Sequence, residues 1–145
     1  MTQVTPHFTK EEFEFSATGI RHGLPNVCPD DLYPNIQLVA AHLELIRDKF
    51  GPVRVISGYR SPAVNKAVGG SKTSAHRFAM AADITVATAS VEKLAAWCVA
   101  NLTDYDQVIS EFGQWVHVGF THGHPREEYL VATKDGEETV YTKII

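Results

Sequence analysis

His76, Asp83 and His117 are the residues of this chain whose types and order could hold a metal ion. They lie in Ser74-Ala75-His76-Arg77-Phe78-Ala79-Met80-Ala81-Ala82-Asp83 and in Trp115-Val116-His117-Val118-Gly119. Two neutral imidazoles and one carboxylate leave one position open on a tetrahedral zinc ion, the arrangement of a catalytic site rather than a structural one. Water in that position becomes acidic enough to supply hydroxide near neutral pH. On one straight helix, residues seven apart are separated by about 10 Å, too far for one ion with bonds of about 2 Å. The segment must therefore bend back, with Asp83 on a strand and His76 on a preceding strand or loop. A plainer reading stays open at this point. A single histidine is usually a surface or satisfied core residue, and Asp83 could simply cap a turn.

The elements that must position these residues follow from pattern and punctuation. Thr9-Lys10-Glu11-Glu12 reads as a capping box, with Phe8 placed to staple against Phe13, in a helix that ends by Gly19. A loop rich in Gly23, Pro25, Pro29 and Pro34 comes next. Ile36, Val39, Ala40, Leu43, Ile46 and Phe50 recur at helical spacing, with Asp30 or Asp31 as the cap and Gly51-Pro52 as the stop. Val53–Ile56 reads as a strand, Ser61-Pro62 opens a short helical turn, and Gly69-Gly70 closes it. Ala81–Val86 reads as a strand, and Ser90 caps a helix burying Val91, Leu94, Ala95 and Cys98. Gln107–Glu111 and Trp115–Phe120 are strands with a tight connection, and Glu128–Thr133 and Glu138–Ile144 flank an Asp135-Gly136 hairpin turn. The order predicts an α+β fold with a central antiparallel sheet and flanking helices. In Trp115–Phe120, Val116, Val118 and Phe120 share a core face, so His117 points the other way with Trp115 and Gly119, and Gly119 leaves room beside it.

Composition narrows the function classes. At 145 residues the chain fits one domain, 1–145, and 44% hydrophobic content supports a sizeable core. No apolar run approaches the roughly 18 residues of a transmembrane helix. No signal peptide is visible at the N-terminus, so synthesis in the cytoplasm is expected. Cys28 and Cys98 are too few for a disulfide framework. A net charge of −4 disfavours nucleic acid as a partner. Of the seven histidines, His7, His22 and His42 have no partners at ligand spacing. His122 and His124 fall in a turn-rich loop and read as solvated.

The Ser74–Asp83 segment, the Trp115-Val116-His117 segment and, upstream, Ser57-Gly58-Tyr59-Arg60-Ser61-Pro62 together resemble the zinc D-alanyl-D-alanine carboxypeptidase family. That family includes vancomycin-resistance dipeptidases and phage endolysins and is structurally similar to the hedgehog signalling domain. Its pattern is Ser-x-His-x-x-Gly-x-Ala-x-Asp followed by Trp-x-His, and the likeness runs roughly from Phe8 to Phe120. The resemblance implies one zinc ion held by His76, Asp83 and His117. Ala79 stands where the family has glycine, and if that position needs positive φ the alanine is strained by about 1 kcal/mol or more.

For the general base, some relatives place an acid three residues before the last histidine, where this chain has Gln114, which cannot accept a proton. Others place a glutamate six residues before, which here is Glu111. A three-residue connection between the two strands would set Glu111 opposite Trp115 and diagonal to His117, within about 7–8 Å at the backbone. An even-length connection would flip it to the Val116 face. An odd connection and Glu111 as base are expected, against the alternative of a solvent-exposed glutamate at a hairpin end. Arg60 suits carboxylate binding or polarisation of a scissile carbonyl. Ser74 is expected to contact substrate or orient His76, and Trp115 to wall the cleft.

The expected function is hydrolysis of an amide in a peptidoglycan stem peptide by a monomeric zinc peptidase, closest to small phage-type members. A phage lysis protein of this kind would act on a host periplasmic wall. The alternatives are a non-catalytic zinc-containing module that binds wall peptides or a protein, and a structural component of a phage tail.

Overall fold

The computed structural model describes residues 1–145. Two short strands, β1 (Gln3–Thr5) and β2 (Phe8–Thr9), pair antiparallel ahead of helix α1 (Lys10–Glu14). The Thr9 capping box is formed: its hydroxyl accepts from the Glu12 N–H, and the Glu12 carboxylate accepts from the Thr9 N–H. Phe8 and Phe13 stack at 6.3 Å, as the staple requires. The helix stops earlier than its pattern implied. Phe15 is extended and Ser16 caps a separate helix α2 (Ala17–His22), its Oγ accepting from Gly19 N–H. A side-chain cap restarts the backbone there, which explains the division.

Helix α3 (Tyr33–Phe50) buries Ile36, Val39, Ala40, Leu43, Ile46 and Phe50. Neither Asp30 nor Asp31 caps it. They form a 3-10 turn, Asp30–Leu32, that leads directly into the helix with Pro34 in its first turn. Strand β3 (Val53–Ser57), helix α4 (Pro62–Ala67, capped by Ser61) and strand β4 (Ala81–Val86) come next. Ser90 caps helix α5 (Val91–Asn101) through the Lys93 N–H. The chain finishes with β5 (Gln107–Glu111), β6 (Trp115–Gly119), β7 (Glu128–Asp135) and β8 (Glu138–Lys143).

Six strands form one sheet in the order β3-β4-β6-β5-β7-β8. All neighbours are antiparallel except β5 and β7, which run parallel, so the sheet is mixed rather than purely antiparallel. The reason lies between β6 and β7. A hairpin would return β7 beside β6, but β6 already has β4 and β5 on its two sides. The intervening segment instead passes the end of β5. Asp106 holds it there: its carboxylate accepts from Arg126 N, Nε and Nη2 at 2.9, 3.1 and 2.7 Å. The Asp106 carbonyl also accepts from Glu128 N–H at 3.0 Å.

One face of the sheet presents Ile84, Val108, Val116 and Val118 to α3 and α5, in a buried cluster of 24 residues. Each fully buried aliphatic side chain in it contributes about 1.5–3 kcal/mol relative to exposure. The opposite face carries His117, as strand alternation predicts from Val116 and Val118 on either side.

Candidate active site

The residues around His76 form a one-turn hook. Ala75–Phe78 is a 3-10 helix, rather than the strand or open loop expected for His76, and Ser74 caps it by accepting from the His76 N–H at 3.3 Å. Ala79 closes the turn in the left-handed region at φ 57°, ψ 30°. Its N–H bonds back to the carbonyls of Ala75 and His76, and Met80 N–H also reaches Ala75 O at 2.9 Å. The positive φ that a glycine would favour is therefore present with an alanine in it. This reversal feeds the chain into β4 and returns Asp83, its third residue, to His76.

Asp83 on β4 is directly opposite His117 on β6. Cross-strand partners of this kind have Cβ atoms about 4.5–5.5 Å apart, close enough for two short side chains to share an ion. His76 Nε2 lies 3.2 Å from Asp83 Oδ1 and 3.2 Å from His117 Nδ1, and His117 Nδ1 lies 3.0 Å from Asp83 Oδ1. Donors on a tetrahedral zinc at bonds of about 2.0–2.1 Å stand about 3.3 Å apart. The three atoms are thus spaced as one zinc would require, and their chemistry, two nitrogens and one oxygen, fits it. They are the group of metal-binding side chains that the fold brings together.

Neighbouring groups fix two of the three donors, His76 and Asp83. His76 Nδ1 bonds the Gly58 carbonyl at 2.7 Å, which puts the proton on Nδ1 and leaves the Nε2 lone pair facing the cluster. Gly58 itself packs against the Phe13 backbone, where a Cβ would lie 2.8 Å from the Phe13 carbonyl oxygen. Arg60 Nη2 reaches Asp83 Oδ2 at 3.4 Å, and Arg60 Nε–H donates to Ser57 Oγ at 3.1 Å. Its backbone N–H donates to the His76 carbonyl at 3.0 Å, tying the Ser57–Pro62 loop to the hook. Asn26, not singled out from sequence, pins that loop from behind. Its amide donates to Glu14 O and Tyr59 O, and its carbonyl accepts from Ser61 N–H.

Burial works against ionisation of Asp83, but His76 and His117 outweigh it and hold the carboxyl well below the usual range. Burial likewise opposes protonation of His117. The hydrogen bond and charge of Asp83, with a smaller effect of Glu111, reverse that and raise its pKa.

The β5–β6 connection has three residues, Phe112, Gly113 and Gln114, and Phe112 and Gly113 take positive φ of 57° and 65°. Glu111 accordingly pairs with Trp115 and sits on the face of His117. Its Oε1 is 3.9 Å from His117 Nδ1 and accepts the Trp115 indole N–H at 3.1 Å. Trp115 lines the cleft and also orients Glu111, a contact that the strand pattern alone did not show. Gly119 is the other spatial requirement: a Cβ there would lie 3.1 Å from His117 Nε2.

These groups open into a cleft of about 1270 Å³, lined also by Arg60 and Ser74. The remaining histidines stay out of the cluster. His122 bonds the Asn35 side chain at 2.6 Å, His7 pairs with Glu44 at 2.7 Å, and His42 stacks on Phe120 at 4.2 Å. Both cysteines are free and buried. No helix is long and apolar enough to cross a membrane.

No curated protein matches the chain. A family model described as Peptidase M15 matches residues 6–119, a span that contains the hook, Asp83, Glu111 and His117. With a donor set of the right kind and spacing inside that span, the chain belongs to the peptidase M15 family and is a zinc metallopeptidase.

Proposed function

We propose that this chain hydrolyses an amide bond in a peptidoglycan stem peptide, as a D-Ala-D-Ala carboxypeptidase or endopeptidase, and serves as a phage-type endolysin. The observation that carries the reading is Glu111, whose carboxylate stands 3.9 Å from a donor atom of the metal cluster and is held there by Trp115. A module that only bound peptide would have no use for an oriented base beside its metal. The resemblance to the D-alanyl-D-alanine carboxypeptidase family supports the stem peptide as substrate and the hedgehog-type arrangement of sheet and helices.

In this proposal His76, Asp83 and His117 hold one zinc. When bound there, zinc acidifies water and polarises a carbonyl. Glu111 takes a proton from the attacking water as the carbon–oxygen bond forms, then passes it to the departing amine as the carbon–nitrogen bond breaks. Arg60 donates to the developing oxyanion or to a substrate carboxylate, an assignment its planar fork suits. Ser74 holds the His76 turn and offers its hydroxyl at the cleft. Trp115 keeps Glu111 from rotating away and walls the cleft beside it. Arg60 also neutralises the outer oxygen of Asp83, so that the other oxygen remains directed at the two imidazoles.

The test is digestion of purified Gram-negative sacculi by zinc-loaded protein, with released fragments identified by mass spectrometry. Chelator-sensitive release of stem-peptide fragments is the expected result and names the bond. Absence of cleavage on both sacculi and soluble stem peptides, with zinc content verified, overturns the substrate assignment.

A further inference from the structure

Residues 128–145 lie beyond the span matched by the family model, yet they build part of the cleft. The register shows how. On β5, Ile109 and Glu111 share the face of His117. Across the parallel pairing, Ile109 meets Leu130 and Glu111 meets Ala132 on β7. On β8, Ala132 meets Tyr141, and Lys134 meets Thr139. The face bearing the metal cluster therefore continues, row by row, through Leu130, Ala132 and Lys134 to Thr139 and Tyr141. Leu130, Lys134, Thr139 and Tyr141 line the same cleft as His76 and Glu111.

The charges along this wall are uneven. Three Lys or Arg side chains line the cleft: Arg60, Arg126 and Lys134. Arg60 faces Asp83, and Arg126 is taken by Asp106 and Glu128. Lys134 has no carboxylate partner. Its ammonium sits 3.2 Å from Thr139 Oγ1 and 5.2 Å from the centre of the Phe112 ring. Beside it, Tyr141 leaves 55% of its surface open, a large ring half-exposed on the cleft wall. A cation held over a ring and next to an open aromatic face is arranged to receive an anionic group whose own carbon chain lies on the tyrosine.

We infer that the β7–β8 hairpin is a substrate subsite, in which Lys134 pairs with a carboxylate of the peptide and Tyr141 supports the adjoining chain. Adjacent strands are about 4.8 Å apart and strand residues about 3.3 Å, so Ala132, Lys134 and Tyr141 stand roughly 5–10 Å from Glu111 along the sheet. An extended peptide covers that in two to three residues. The carboxylate recognised by Lys134 therefore lies two to three residues from the scissile amide. The inference rests on the peptidase reading of the same site and adds a preference for acidic over amidated peptides.

The test compares the zinc-loaded full chain, Lys134→Gln and Tyr141→Ala on two probes. One is a stem pentapeptide with its internal carboxylates free, and the other is the same peptide with those carboxylates amidated. The wild-type protein should favour the acid peptide, and Lys134→Gln should lower that preference in kcat/KM about tenfold, chiefly through KM, the value of one charged hydrogen bond. Tyr141→Ala should raise KM for both peptides. A fall in kcat on both peptides without loss of preference would make Lys134 only a support for the Phe112 turn that carries Glu111, and would overturn the inference. Binding is read separately by amide NMR shifts when the acid peptide is titrated into zinc-loaded protein. Shifts at Leu130–Lys134 and Thr139–Tyr141 that weaken in Lys134→Gln support the subsite even where the peptide is not cut, in which case the peptidase reading alone fails. Peptide binding without shifts in the hairpin overturns the subsite and leaves the peptidase reading standing.

Discussion

Gly119→Ala separates the metal site from the fold, because the two should respond in opposite directions. The added Cβ would lie 3.1 Å from His117 Nε2, 3.7 Å from its Cδ2 and 3.8 Å from the Gln107 carbonyl. Comfortable carbon contacts fall at about 3.5–4.0 Å, so the imidazole must retreat by about 0.4 Å. Metal–ligand distances tolerate only about ±0.2 Å. Nδ1 belongs to the same rigid ring, so that retreat also moves the atom facing Asp83 and His76. Perturbing the surroundings of a ligand in this way costs about tenfold to a hundredfold in metal affinity. The backbone, by contrast, has no objection. Gly119 is absent from the positive-φ positions, and removing a glycine from a strand interior is worth about 0.5–1 kcal/mol in chain entropy. Zinc affinity, measured by competition with a chromogenic chelator, should therefore fall while the Tm of the chelated protein stays level or rises. A variant that binds zinc as tightly as wild type would refute the steric reasoning, and a parallel collapse of affinity and chelated Tm would show Gly119 to be a folding residue.

The two buried titrating groups set opposite slopes with pH. Asp83, held below its ordinary pKa, stabilises the metal-free protein above about pH 4 and ceases to as pH falls through its folded value. His117, held above its ordinary value, stabilises it below about pH 6.5 and ceases to as pH rises through its folded value. As pH rises above about 6.5 the chelated protein should thus lose Tm, while the Tm gain from zinc grows as the competing proton leaves; a zinc gain that shrinks with rising pH contradicts this. Burial pushes the Cys28 thiol up to about 11 and the Cys98 thiol up to about 12, so neither should react with a thiol reagent at about pH 8 until denaturant is added. Ala79→Gly should be nearly neutral. Relief of about 1–2 kcal/mol of left-handed strain is offset by about 0.4–1 kcal/mol of chain entropy and about 0.8 kcal/mol for a buried methyl. A Tm loss of more than about 5 °C would show that the methyl matters more than the strain.

Much of the site could be read from local spacing, because the information was local. Alternation in Val116-His117-Val118 placed His117 off the core face, and the three residues between Glu111 and Trp115 put the glutamate on the same side. The separation of His76 and Asp83 required a reversal, and Ala79 marks where it occurs. Contacts between distant segments were not legible. The Gly58 carbonyl that fixes the His76 tautomer is 18 residues away, and a backbone acceptor leaves no signature in residue type. Asn26 reads as one more loop residue until Glu14, Tyr59 and Ser61 close around it. The parallel β5–β7 pairing was hidden for a similar reason. Strand patterns show which face is buried but not which neighbour a strand chooses, and the deciding contact is Asp106 with Arg126, twenty residues on. The same pairing makes the last hairpin part of the cleft.

The measurement that bears most directly on the peptidase reading compares wild-type protein and Glu111→Gln side by side, with zinc content and stem-pentapeptide cleavage followed by mass spectrometry on the same samples. The amide keeps the shape of the side chain and an oxygen for the Trp115 N–H, but cannot take a proton from water. The expected result is equal zinc content with a kcat reduced about 10²–10⁴-fold. Cleavage by the fully metallated variant at the wild-type rate would contradict Glu111 as the base.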